Sequence, residues 1–331
     1  MIYHIGAHGP GNAGDVVIQQ TLRQLLQNET KEEIVLINDW FETTDEMIKN
    51  YNQATAIVVG GGGLFLKDSQ PNKTSGWRWN ISVRNLRKIR VPIIVFGVGY
   101  NRFRGQADFD RVFYKHIRLL INKSVFFSTR ELHTPLQDFK WGQKIKYQPC
   151  PTVMLNTIRH YAPEPKKIVF VPALDRSELR YRDSDKFHTG MADVLRELFN
   201  KGWDVNIAYH ISMDKSAVKY FTEFKQVDLT EMNAEDILNF YENVDAVISL
   251  RLHGLIIPFG LGCNKVIPID THDKIVDFAK SIGMPYIQPN EIKLIPDLLS
   301  TKNDYDPARK RLREITEQNL EFISKYIKDK T

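Results

Sequence analysis

The sequence predicts an α/β protein made of two Rossmann-like domains with mostly parallel sheets, and three observations carry that reading. Short apolar, β-rich runs alternate with segments of helical spacing from the first residue onward. The alternation breaks near residue 150 and then restarts with the same grammar. At 331 residues the chain also exceeds the usual size of a single domain.

In chain order, strands are predicted at Ile2–Ile5, Ile34–Ile37, Ala56–Val59, Ile93–Phe96 and Val125–Ser128. Between the first two, Ile18, Leu22, Leu25 and Leu26 recur at helical spacing within Val16–Leu26. Pro149-Cys150-Pro151 ends the first half, and the Pro- and Lys-rich stretch 161–167 reads as a connection. Strands follow at Ile168–Val171, Val205–Tyr209, Ala246–Leu250 and Val266–Ile269, with helices near Thr189–Asn200 and Ala234–Glu242. From Pro307 to Lys330 a single amphipathic helix carries Leu312, Ile315, Phe322, Ile323 and Tyr326 on one stripe, suited to packing across both halves. The resulting division is 1–155, a linker at 156–167, 168–304, and a terminal helix at 305–331.

Composition narrows the function classes. Apolar content of 42% and charged content of 26% are those of an ordinary globular chain. The net charge of +5 favours anionic ligands, but the basic residues are dispersed, which argues against a nucleic-acid partner. Two cysteines, Cys150 and Cys263, make neither a disulfide framework nor a metal site and fit a reducing compartment. The first residues read directly as a strand, so the expectation is a cytoplasmic protein, with at most peripheral contact at the inner membrane face.

Ser249-Leu250-Arg251-Leu252-His253-Gly254 ends an apolar run where open α/β sheets bind ligands. If the strand persists, alternation puts Arg251 and His253 on one face, a cation beside a proton carrier. The alternative is that Arg251 pairs with a carboxylate and His253 opens a helix. Ser128-Thr129-Arg130-Glu131 delivers a second cation to the edge of the first half, with Arg130–Glu131 pairing as the structural alternative. Lys274 supplies a third cation, and guanidinium forks with a lysine suit a small polyanion.

Gly60-Gly61-Gly62-Gly63 follows Ala56–Val59, and four glycines in a row imply close backbone approach or positive φ. Gly9-Pro10-Gly11-Asn12-Ala13-Gly14 has the form of a dinucleotide fingerprint, with Asp39 as the ribose acid, although the turn starts too late after the strand. Asp15 serves either as a helix cap or as a ligand contact. Trp77 and Trp79 offer aromatic faces for a sugar or simply pack, while Arg102 and Arg104 either meet an acceptor diphosphate or lie in solvent.

Together, Gly11-Asn12-Ala13-Gly14-Asp15, the tetraglycine with Leu64-Phe65, Ser128-Thr129-Arg130-Glu131, the Ser249–Gly254 hexapeptide and Lys274 resemble the polysaccharide pyruvyl transferase family. The resemblance implies a glycosyltransferase-B-like architecture with the active site in the interdomain cleft, the first domain on the acceptor side and the second on the donor side. It implies transfer of a pyruvyl group from phosphoenolpyruvate to hydroxyls of a glycan or lipid-linked saccharide as a ketal; no metal-ligand cluster is evident in the sequence, and neither a cofactor nor a metal is expected. By that resemblance the catalytic set is His253 as principal acid/base, Arg251, which with Arg130 and Lys274 binds the phosphate and carboxylate of phosphoenolpyruvate, and Asp15, which matches a family acidic position. Arg130, Lys274, Gly61, Gly62, Gly63, Ser249, Gly254 and Asn12 bind substrate; the acceptor side, read from the loop itself, is Trp77 and Trp79. Cys150 stands where many members carry an aspartate, and Pro258 and Cys263-Asn264 depart from the usual small residues. Rival readings are a nucleotide-sugar glycosyltransferase, a nicotinamide oxidoreductase and a non-catalytic carbohydrate-binding protein.

Overall fold

The computed structural model describes residues 1–67, 73–156 and 166–329; most of the predicted linker lies outside them. Strands β1 (Ile2–Gly6), β2 (Ile34–Asn38), β3 (Ala56–Leu66), β4 (Ile93–Asn101), β5 (Ser124–Thr129) and β6 (Lys146–Tyr147) form one parallel sheet in the order β2-β1-β3-β4-β5-β6. Strands β7 (Lys167–Val171), β8 (Asp204–Tyr209), β9 (Lys225–Asp228), β10 (Ala246–Ser249) and β11 (Val266–Pro268) form a second, in the order β11-β10-β7-β8-β9. Two parallel sheets with flanking helices are the two Rossmann-like units the alternation predicted.

Helices on both faces explain why the strands are continuously apolar. In β3, Ile57 and Val59 pack with Phe113 and Ile117, whereas Ala56 and Val58 pack with Leu22 and Leu26 of the first helix, Ala13–Thr30. The strand order reverses beside β1 in the first sheet and beside β7 in the second. Crevices at such points, outside the carboxyl ends of strands, are where α/β sheets take ligands.

Several boundaries move, each for a local reason. β3 runs through the tetraglycine to Leu66 instead of ending at Val59, because glycine lets the strand bend: φ is +71° at Gly61 and +107° at Gly62, and the register with β4 shifts between Gly62 and Phe65. Any side chain at Gly61 would fall 2.7 Å from Ile18 Cγ2. β6 and β9 are short and polar, Lys-Tyr and Lys-Gln-Val-Asp, and carry no apolar run. β10 stops at Ser249, so Arg251 and His253 do not owe their shared side to strand alternation.

The final helix, Asp306–Lys328, spans the two halves. Leu312 packs with Phe259, Cys263 and Tyr305 of the second, and Leu320, Ile323 and Ile327 pack with Ile2, Leu22 and Ile94 of the first. Phe322 leaves the predicted stripe and lies exposed under the Lys146 ammonium. The halves also meet where the first helix begins: Ala13 N donates to His210 O at 2.9 Å and Gly11 N to Thr230 O at 2.8 Å.

Candidate active site

A cavity of about 210 Å³ lies where the carboxyl ends of the two sheets face each other. The first half contributes Asn12, Asp15, Gly63, Arg78, Asn101 and Arg130 to its wall, and the second contributes Arg180, His210, Arg251, His253 and Lys274.

Serine chemistry shapes the turn that carries His253. Ser249 Oγ accepts from Arg251 N at 3.0 Å and donates to Arg251 O at 2.8 Å, closing a tight turn after β10. Gly254 packs on that hydroxyl, its missing Cβ position only 2.3 Å from Ser249 Oγ. Ser249 and Gly254, expected to touch substrate, instead build the turn behind it and do not line the cavity. His253 then opens the helix His253–Gly260.

Two glycines make room for the central pair of side chains. A Cβ on Gly14 would lie 2.0 Å from His253 Nδ1, and one on Gly99 would lie 2.1 Å from Arg130 Nη2. His253 Nε2 sits 3.4 Å from Arg130 Nη1. Arg130 therefore donates and the imidazole accepts, which leaves the proton of a neutral ring on Nδ1. Burial, then the charges of Arg130 and Lys274, hold His253 well below the usual histidine range. Gly14→Ala is accordingly expected to push the imidazole off its seat and cut turnover about 10²-fold, the effect of a misplacement of about 1 Å. Steady-state rates with a melting curve check it; wild-type turnover in a folded variant would show that the seat is not needed.

Each arginine of the wall has an acidic partner. Arg78 donates from Nε and Nη2 to Asp39 at 2.7 Å each, Arg130 to Glu131 at 3.3 Å, and Arg180 to Asp175 at 3.0 Å. Arg251 donates to Asp214 at 2.5 Å and to Asp175 at 2.6 Å. The pairing alternative for Arg251 and for Arg130 is thus present, yet both still line the cavity. Arg180 Nη1 is buried without a hydrogen-bond partner among the described residues, a donor waiting for an acceptor. Lys274 has a neutral partner, Asn101 Oδ1 at 3.0 Å, and burial together with Arg180 and Arg130 brings its ammonium down to about 7.

Asn12, not Asp15, caps the first helix: its Oδ1 accepts from Gly14 N at 3.0 Å and Asp15 N at 3.3 Å. Its Nδ2 donates to Asp15 Oδ2 at 2.8 Å, fixing that carboxylate in the cavity wall. Burial raises Asp15 to about 6 against the pull of Arg78 and Arg130. Gly62 lies against Asp15, with its Cβ position 3.1 Å from Oδ1, and Gly63 reaches the wall, while Gly61 faces Ile18 and Gln19.

Other expectations fail on burial or pairing. Trp77 and Trp79 are 0% and 1% exposed in the first core, and Trp77 Nε1 donates to His116 Nδ1 at 3.1 Å, so neither reaches a sugar. Asp39 is fully buried and held at both oxygens by Arg78, which removes it as a ribose acid. Arg104 is tied to Asp270 and Asp273 across the halves, at 2.6 and 2.5 Å.

Arg78, Arg180, His210 and Asn101 were not singled out in the sequence. His210 directly follows the predicted strand Val205–Tyr209 and was legible by the same edge rule as Arg251. Arg78 was masked by the tryptophans on either side. Nothing local marks Arg180.

Comparison with known proteins bears on the fold and the family. No curated protein matches the sequence significantly. Among solved structures, the fold is similar to Staphylococcus aureus MnaA in a co-structure with UDP (TM-score 0.58, 11% identity, 97% of this chain and 90% of that one). It is also similar to a putative UDP-N-acetylglucosamine 2-epimerase from Listeria monocytogenes (0.55, 12%, 96% and 90%). A third likeness is to the UDP-GlcNAc 2-epimerase of Methanocaldococcus jannaschii (0.52, 11%, 92% and 95%). At these identities the likeness is one of fold, the glycosyltransferase-B-like pair of Rossmann-like domains. The polysaccharide pyruvyl transferase family profile matches residues 12–272, from the helix cap at the cavity to the segment before Lys274, and the chain belongs to that family.

Proposed function

We propose that the protein transfers the pyruvyl group of phosphoenolpyruvate to two hydroxyls of a saccharide, forming a cyclic ketal and releasing phosphate. The observation that carries this reading is the cavity itself: Arg78, Arg130, Arg180, Arg251 and Lys274 surround His253 in about 210 Å³. That is smaller than the ~300–1,000 Å³ typical of sites for larger ligands. A three-carbon molecule with a carboxylate and a phosphate suits such a space better than a nucleotide sugar does.

The chemistry follows from the balance of protons. A proton on the methylene carbon of phosphoenolpyruvate makes C2 electrophilic; one sugar hydroxyl adds there and loses its proton, and the C2–O bond to phosphate breaks. The second hydroxyl adds to the resulting oxocarbenium carbon and loses its proton in turn. Of the two protons released, one replaces that used on the methylene and the other leaves with phosphate. His253, neutral in the free cavity, takes a hydroxyl proton at Nε2 and returns it as acid. Asp15, at about 6, is the second group able to hold a proton there. Arg130 and Lys274 hold the donor's anionic ends, and the fixed guanidinium groups stabilise the departing phosphate.

A pH dependence of binding results. Lys274 loses its proton above about 7 in the free protein, and an anionic donor favours the protonated form, so binding takes up a proton. Donor affinity is expected to fall by up to about tenfold per unit as pH rises above 7. Calorimetric titration of phosphoenolpyruvate at pH 7 to 9, in buffers of different ionisation enthalpy, reads both affinity and proton uptake. Release of phosphate and ketal from phosphoenolpyruvate across a glycan panel tests the reaction; transfer from nucleotide sugars instead would reject it.

A further inference from the structure

The acceptor needs a surface next to the donor cavity, and the tryptophans the sequence offered for it are buried. Of the five tryptophans, Trp40 is the one that is exposed, at 53%, and Phe41 beside it is 65% exposed. Both follow β2 at the same carboxyl edge that opens the cavity.

Their position is fixed. Trp40 N donates to Asn38 Oδ1 at 3.1 Å, and Trp40 O accepts from Asn80 Nδ2 at 3.5 Å. The Arg78 guanidinium lies over the indole, its Cζ 3.9 Å from the ring centroid, while its edge is held by the fully buried Asp39. Arg78 also lines the cavity. One planar group thus joins the donor pocket to an exposed aromatic surface.

We propose that Trp40, with Phe41 beside it, is the platform on which a pyranose ring of the acceptor stacks, placing its hydroxyls at the mouth of the cavity. The apolar C–H face of a pyranose matches an indole in size and polarity, and with Arg78 over one face of the ring the sugar takes the other, exposed face. The indole presents a large, rigid contact area at small entropic cost. The inference rests on the pyruvyl transfer reading for the nature of the acceptor, but its contact can be measured without turnover.

Saturation-transfer-difference NMR with methyl β-D-galactopyranoside, methyl α-D-mannopyranoside and methyl β-D-glucopyranoside, with and without phosphoenolpyruvate, reads that contact. The wild type is expected to give signals concentrated on one C–H face of at least one glycoside. Trp40→Ala is expected to weaken its binding about tenfold, and Trp40→Phe to restore much of it. Stabilisation by phosphoenolpyruvate in a thermal melt is expected to be the same in all three proteins. Equal glycoside binding by Trp40→Ala, or silence of every glycoside against the wild type, overturns the platform. So does loss of sedimentation with phosphatidylglycerol vesicles in Trp40→Ala with glycoside signals unchanged, which would make the aromatic pair a membrane contact. Absence of any phosphoenolpyruvate stabilisation of the wild type would count against the donor assignment alone, because the glycoside spectra are read separately.

Discussion

His253→Ala is expected to reduce pyruvyl turnover by about 10²–10⁴-fold, the usual worth of a placed acid/base group. Donor binding should survive, because Arg130 and Lys274 remain in the wall with their own partners, Glu131 and Asn101. The loss should therefore fall on kcat and leave the KM for phosphoenolpyruvate nearly unchanged. The fold should persist too, since the turn that carries His253 is closed by Ser249 and not by the imidazole. Burial and four cationic or imidazole neighbours keep the ring neutral before the donor enters. The incoming negative charge then makes protonation easier, so a base in the empty site becomes an acid in the filled one. Phosphate release at saturating donor, measured with a melting temperature for each protein, checks the claim. Unreduced turnover in the variant would take His253 out of the chemistry.

The fold was legible because parallel strands buried on both faces must be continuously apolar, as Ile57-Val58-Val59 and Ile93-Ile94-Val95 are. Legibility ended where backbone geometry replaced side-chain pattern. The tetraglycine signals close approach or positive φ by composition, but not that its lack of side chains lets β3 continue past Ile18 and toward Asp15. At the site, Arg130, Arg251 and His253 were visible as polar groups after apolar strand runs, and Lys274 as a cation at the start of the helix after the last strand. Their acidic partners Asp175 and Asp214 were not, because they come from segments 76 and 37 residues away from Arg251 and belong to no local motif. Trp77 and Trp79 left two readings open for the opposite reason: an aromatic in a loop-like sequence is indifferent to whether that segment is folded inward. Only the packing against Phe65 and His116 decides it.

Asp214 holds Arg251 in the cavity wall from behind, and its removal is expected to be the costliest single change to stability. The carboxylate is fully buried; it accepts from Arg251 Nε and Nη2 at 2.5 Å each and from Leu174 N at 3.1 Å. In Asp214→Ala, Arg251 would retain Asp175 alone, a carboxylate already engaged by both Arg180 and Arg251. Two buried guanidinium groups would then share one negative charge. Breaking such a pair from one side typically costs about 3–5 kcal/mol, and Leu174 N would lose its acceptor as well. Asp214→Asn keeps an acceptor oxygen and should lose less. Acid adds a second signature. Burial alone would raise Asp175, but Arg251 and Arg180 hold its carboxyl well below the usual range. Because the folded state lowers the pKa of that carboxyl, its contribution is complete above the unfolded value of about 3.9 and is lost as pH falls below it. With Asp214 gone, stability at neutral pH would depend more heavily on Asp175, and the acid limb should begin from a lower plateau. Urea unfolding of the wild type and both variants at pH 7 and through the acid range measures each step. A loss of less than about 1 kcal/mol in Asp214→Ala, the range of an exposed pair, would mean that the acidic pair does not hold Arg251 in place.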